Sequence, residues 1–278
     1  MQSYSEIEPQ IRQLEVKDSP FSVGAGLLTW FVSVALIIVP QIFLGVGYVF
    51  WKYQQTGVMP TAENIIDKPF ALLALGCTLL AHALTLWFCW MLITKRLRLP
   101  FLQAQGWSWH PRFNLAHAII LGLVMFGFAQ ACGQLLPHQV TDLEKMLRLG
   151  MSVKVLTAIL AVFSAPFIEE FVYRGILYPA VEGRAGWQMG VAVTSFLFAL
   201  VHVPQYWGSP AALTAIITLS VVLTLVRAFT GSILPTVVTH FVYNGIQSVM
   251  MLLFSTDDGA KEKATQALIW GGQWIGLW

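Results

Sequence analysis

Long charge-free stretches alternate along the chain with short polar ones. Residues 23–50, 69–94, 113–136, 185–226 and 228–256 contain no Asp, Glu, Lys or Arg. A helix needs about 20 apolar residues to cross the hydrocarbon of a bilayer, so each stretch holds at least one span. The run 185–226 is too long for one, and it breaks at Pro204-Gln205-Tyr206-Trp207-Gly208-Ser209-Pro210, where two prolines and a glycine favour a turn. That gives spans near 187–203 and 211–227. Residues 152–182 form a further helix, interrupted only by a charged cluster. The tail 264–278 is apolar but short, and reads as a short or interfacial eighth segment. The pattern predicts an all-α fold, a polytopic transmembrane helical bundle of about seven to eight spans. A polar N-terminal segment, 1–22, bears Glu6, Glu8, Arg12, Glu15, Lys17 and Asp18 and lacks the apolar core of a cleaved signal peptide. Residues 23–278 read as one transmembrane domain.

Composition agrees with that class. Hydrophobic residues make up 56% of the chain and charged ones 11%, against about 25% charged in a soluble domain. The formal net charge of +2 offers no basic field for nucleic acid, so none is expected as a partner. Cys77, Cys89 and Cys132 lie in apolar stretches without metal-type spacing and read as small buried hydrophobes. Many of the tryptophans fall near predicted span ends, as interfacial belts do. The loop with Lys95, Arg96, Arg98 and Arg112 is the densest basic cluster, and the positive-inside rule places it and the N-terminus in the cytoplasm. The loop with Lys145, Arg148 and Lys154 argues the other way. The chain shows no appended targeting segment, which favours a prokaryotic plasma membrane.

Candidate chemistry sits where charge interrupts the apolar pattern, in Ala165-Pro166-Phe167-Ile168-Glu169-Glu170-Phe171-Val172-Tyr173-Arg174. Charged groups within a span cost at least about 2.5 kcal/mol each at mid-bilayer and persist when they pair or face water. Glu170 and Arg174, four apart, share a helix face and are expected to form an ion pair. Glu169 lies about 100° around the helix and is left free to exchange a proton. His202 ends the fifth span; His240 and Asn244, four apart, share a face of the seventh. Glu169 and His202 each lie about 22 Å from the turn around Gly186, and His240 and Asn244 about 14 and 20 Å from Gly231, at 1.5 Å per residue. These groups are therefore expected to meet at one depth. His82 and His117 read as packing residues. Pro166 removes a helix hydrogen bond, which either frees a carbonyl or admits water near the site, or else simply kinks the helix for packing.

A carboxylate and a histidine sharing one water make a general base, and a histidine with an asparagine amide can receive a tetrahedral oxyanion. This set suits hydrolysis of an amide by activated water. Glu169, His202 and His240 are also valid zinc ligands; without a compact ligand signature zinc comes second, and no cofactor is expected. A proton-coupled carrier would be expected to show pseudo-symmetric halves, and no internal repeat is visible. A catalytically silent membrane scaffold or immunity protein remains the other alternative, though it gives no reason for an unpaired acid.

These residues resemble the type II CAAX prenyl endopeptidase family (the CPBP or ABI intramembrane proteases), with its Glu-Glu-x-x-x-Arg, Phe-x-x-x-His and His-x-x-x-Asn motifs. Here they read Glu169-Glu170-Phe171-Val172-Tyr173-Arg174, Phe198-Ala199-Leu200-Val201-His202 and His240-Phe241-Val242-Tyr243-Asn244. The run Arg227-Ala228-Phe229-Thr230-Gly231-Ser232-Ile233 is also similar, and the likeness covers about 150–255. It implies that Glu169 activates water with His202, that His240 and Asn244 form the oxyanion site, and that Glu170 and Arg174 are a structural or tuning pair. It also implies a cavity open to the cytosol and the membrane. The expected partners are the bilayer and a peptide or lipidated protein substrate, cleaved near its C-terminus. The family's eukaryotic branch trims prenylated proteins, while many prokaryotic members have other roles.

Overall fold

A computed structural model describes residues 19–61, 65–137 and 139–254, so the apolar tail 264–278 and most of the polar segment 1–22 lie outside the described residues. Besides a single helical turn at Phe101–Ala104, the helices are α1 (Val23–Thr56), α2 (Lys68–Arg96), α3 (Leu115–Leu135), the short α4 (Asp142–Leu147), α5 (151–185), α6 (187–202), α7 (Pro210–Thr230) and α8 (Leu234–Phe254). Among the described residues six helical stretches are long and apolar enough to cross a membrane. One of them, Met151–His202, is two helices folded on each other at Gly186, whose φ of 81° and ψ of 166° no helix contains. The reversal is visible in the side chains. Gly190 lies against Tyr178 and Glu182, and Phe198 packs on Tyr173 and Arg174. The described residues thus form an all-α polytopic bundle with seven crossings, as the charge pattern predicts.

Local chemistry sets the ends. Ser22 accepts from Ala25 N–H, Asp67 from Phe70 N–H, and Asn114 forms a capping box with His117. His117 is therefore a cap residue away from the chemistry. Ser209 caps α7 ahead of Pro210, and Gly231 ends that helix in the left-handed region. The outer faces carry exposed Phe31, Ile42, Phe43, Val46 and Phe50, the surface a lipid tail solvates. Inside, close approach replaces hydrophobic sorting. A Cβ on Gly122 of α3 would lie 2.7 Å from Val242 of α8.

The helix α5 is irregular in two places. At Leu160–Ser164 and again at Glu170–Leu177 it widens to i→i+5 hydrogen bonds, with Ala165 N–H on Leu160 O and Tyr178 N–H on Tyr173 O. Such wide turns tend to occur at functional sites. Glu169 stands between them, and Glu170 opens the second.

Candidate active site

Glu170 and Arg174 are both fully buried, with Arg174 Nη1 donating to Glu170 Oε1 at 3.0 Å. The rest of the guanidinium is held by α7, where Nε donates to Thr224 Oγ1 and Nη2 to Ser220 O and Oγ. It also lies 4.6 Å from the Phe198 ring centroid. The expected pair is present, and every face of it is satisfied by the bundle except Glu170 Oε2, a buried oxygen with no hydrogen-bond partner among the described residues.

Glu169 points elsewhere. Its side chain keeps 20% of its surface exposed and lies 3.9 Å from His240 Nε2. The other nitrogen of His240, Nδ1, is 3.1 Å from Glu170 Oε1. His240 thus stands between the two adjacent carboxylates, facing each with one ring nitrogen.

His202 Nδ1 lies 2.8 Å from Phe198 O, and its ring stacks on Phe198. A carbonyl oxygen only accepts, so Nδ1 carries the proton and Nε2 of the neutral ring presents a lone pair. Asn244 Nδ2 donates to Ala161 O at 2.8 Å. That carbonyl is orphaned for a definable reason. In the wide turn its partner would be the N–H of residue 166, which is Pro166. Pro166 therefore does free a carbonyl beside the site, and Asn244 uses one of its two amide N–H bonds there.

Glu169, His202, His240 and Asn244 all line one cavity of about 790 Å³, within the range of ligand sites. Its walls are mostly apolar, from Val34 and Ile37 of α1, Leu75 of α2 and Leu200 and Val201 of α6. Exposed Pro204 and Gln205 form part of its rim. That rim is on the side of the α6–α7 turn. The α7–α8 turn holds the basic loop, through Ile233 N–H on Gly106 O, and it shares the opposite side with Gly186 and the start of α1. A cytoplasmic N-terminus and a rim opening to the cytosol therefore exclude each other.

Among the described residues no three His, Cys, Asp or Glu side chains, the zinc set Glu169, His202 and His240 included, are placed to hold one metal ion. One residue the sequence reading set aside does belong here. His82 of α2 is 6% exposed, lines the cavity, and has Nδ1 2.7 Å from Ser164 Oγ. Its signal was the uncharged stripe Thr78, His82, Thr85 at i, i+4, i+7 on α2, all three lining the cavity.

Comparison with known proteins gives one family. Residues 151–246 match the family model described as Type II CAAX prenyl endopeptidase Rce1-like, the family the motifs resemble. No curated protein and no solved structure matches the chain.

Proposed function

We propose that this multi-pass membrane protein, which carries the Rce1-like match over 151–246, is an intramembrane peptidase that uses a water held by Glu169 and His202. The observation that carries the reading is the division of labour between adjacent acids. Glu170 is sealed by Arg174, while Glu169 opens on the cavity that His202, His240 and Asn244 share.

In this reading Glu169 takes a proton from water, whose other hydrogen is accepted by His202 Nε2. The hydroxide attacks the scissile carbonyl carbon. The resulting oxyanion receives His240 Nε2–H and the second amide N–H of Asn244. Collapse expels the amine, which takes the proton stored on Glu169, and the carboxylate is restored. The His240 role needs protons on both ring nitrogens. With His240 charged, the charges of Glu169, Glu170, Arg174 and His240 sum to zero, which suits burial. The substrate class that fits the mostly apolar cavity is a membrane-associated peptide, with lipidation as in the family's eukaryotic branch.

Purified protein in nanodiscs with a fluorogenic lipidated peptide tests the reading. Glu169→Gln is expected to lower kcat at least about a hundredfold while the fold is retained; equal rates overturn it. A chelator in the same assay is expected to leave turnover unchanged, and loss that added zinc restores would move the mechanism to metal. The basic loop in a cytoplasm puts the rim outside, so maleimide should label Gln205→Cys in intact cells. Labelling confined to inverted vesicles would reverse that orientation.

A further inference from the structure

The connection between α2 and α3 carries Lys95, Arg96, Arg98 and Arg112, and the sequence holds no acid between Asp67 and Asp142. All four cations are exposed, and no carboxylate among the described residues pairs with them. Lys95 and Arg96 end α2, where the helix dipole favours cations, and Lys95 also covers the Trp90 ring. Arg98 and Arg112 lie beyond the helix and have no such reason. Arg98 in addition has φ 58°, the one non-glycine residue with positive φ among those described. It takes the left-handed position after the helix, where Leu99 N–H reaches back to Ile93 O and glycine is the usual residue. A side chain kept there against backbone strain points to a use for its charge. The loop is docked along its inner side. Phe101 and Trp107 pack on Phe171, Gln105 is fully buried against Gly175, and Gly106 O accepts from Ile233 N–H.

We propose that this basic strip binds the headgroups of anionic phospholipids, with exposed Leu102 and Trp109 entering the interface beside it. The inference is independent of the peptidase reading. Headgroup phosphates match the guanidinium donors in charge and in geometry. Because the loop is already docked, little ordering opposes the contact. Its inner side lies on α5 at Phe167 and Phe171, which flank Glu169 and Glu170 in the chain, and at Gly175, next to Arg174. Headgroups that hold the loop therefore also hold α5, from a side away from the cavity-lining Glu169, Val172 and Tyr173.

The test uses the full chain in phosphatidylcholine nanodiscs, titrated with brominated phosphatidylglycerol or with brominated phosphatidylcholine. The signal is the fluorescence that Trp109→Phe removes. Its half-maximal quenching should need at least about tenfold less of the anionic lipid, and salt should reduce the difference. Replacing Lys95, Arg96, Arg98 and Arg112 together with Gln should erase it. Equal quenching in wild type, or a preference that survives the four replacements, overturns the proposal. Inorganic phosphate should compete no better than chloride at the same ionic strength; specific displacement would make a free phosphate the ligand and overturn the proposal too. So would a preference that arises only when residues 1–18, with Glu6, Glu8, Glu15 and Asp18, are removed, since the strip would then belong to the chain's own acidic segment. Arg98→Gly gives a second readout. Glycine relaxes the backbone, so Tm in phosphatidylcholine alone should not fall, while the amount of anionic lipid needed should rise about fivefold. A lower Tm, or an unchanged preference, would assign Arg98 to the fold and overturn the proposal.

Discussion

Replacing Arg174 with Met isolates what the buried ion pair contributes. The guanidinium makes four hydrogen bonds of 2.8–3.1 Å, to Glu170, Thr224 and twice to Ser220, and covers the Phe198 ring. Methionine fills a similar volume and none of those acceptors. The fully buried Glu170 then keeps His240 Nδ1 but loses the charge that compensated it. Removing one partner of a buried pair costs about 3–5 kcal/mol. At about 2–4 °C per kcal/mol for a chain of this size, Tm should fall by about 10 °C. Cys89 and Cys132 are buried, so a thiol-reactive dye reports unfolding in detergent directly. The double variant Glu170→Gln with Arg174→Met removes the orphaned charge, and its amide oxygen still accepts from His240. It should recover at least about half of the loss, since neutral replacements of buried pairs are often tolerated. Glu169→Gln, by contrast, should shift Tm little, because no arginine depends on it. Full stability in Arg174→Met, or a double variant no better than the single, would refute the view that the pair is locked and that desolvated charge is the cost of breaking it.

Three further outcomes follow from the same structure. Asn244→Ala orphans the Ala161 carbonyl and should cost about 1–3 kcal/mol; adding Pro166→Ala returns an N–H and should restore Tm without restoring turnover. Gly186→Ala places a Cβ at φ 81° in the turn that pairs α5 with α6, and should lower Tm by the equivalent of about 1 kcal/mol. At the rim-side end of α1, burial pushes the Asp67 carboxyl up, but Lys52 Nζ, Tyr48 OH and Phe70 N–H together hold it below the usual range. A depressed folded value means that its contribution is present above the unfolded value near 4 and is lost as pH falls through the folded one. Asp67→Asn should therefore differ from wild type at pH 6, and the difference should fade as pH falls through the depressed folded value. The effect should be small, because the side chain is 35% exposed.

The bundle was legible because the bilayer admits little else. Charge-free runs of known length located six of the seven helical passes, the seventh being the apolar run 152–182 around the charged cluster, and Gly186 stands in the predicted turn. Glu170 with Arg174 followed from their four-residue spacing, and the one cavity that Glu169, His202, His240 and Asn244 line agrees with the common depth expected at 1.5 Å per residue. His82 was not found because a single histidine in an apolar span looks like packing; only the α2–α5 contact through Ser164 brings it to the cavity. The direction of the cavity was not legible either. Lys and Arg divide between the two faces, and which helices splay apart is decided by packing that spans far apart in sequence share.

The two wide turns of α5 follow one rule, and it connects the sequence to the site. Each ends two residues before a proline, Pro166 or Pro179, and in each the carbonyl five residues before that proline has lost its backbone donor. Ala161 O is taken by Asn244 Nδ2, and Arg174 O by Arg227 Nε. In hydrocarbon an unpaired carbonyl costs several kcal/mol, so each proline requires a donor from another helix at that position. The donors come from α8 and α7, the helices that also supply His240 and the Ser220–Thr224 cradle of Arg174. Local breakage of α5 thus fixes the neighbours that surround Glu169 and Glu170. A regular helix would satisfy its own carbonyls and would have no need of Asn244 or Arg227. On this reasoning the Asn of His-x-x-x-Asn serves the backbone with one hydrogen and remains available to chemistry with the other, so its loss should damage fold and turnover through separable routes.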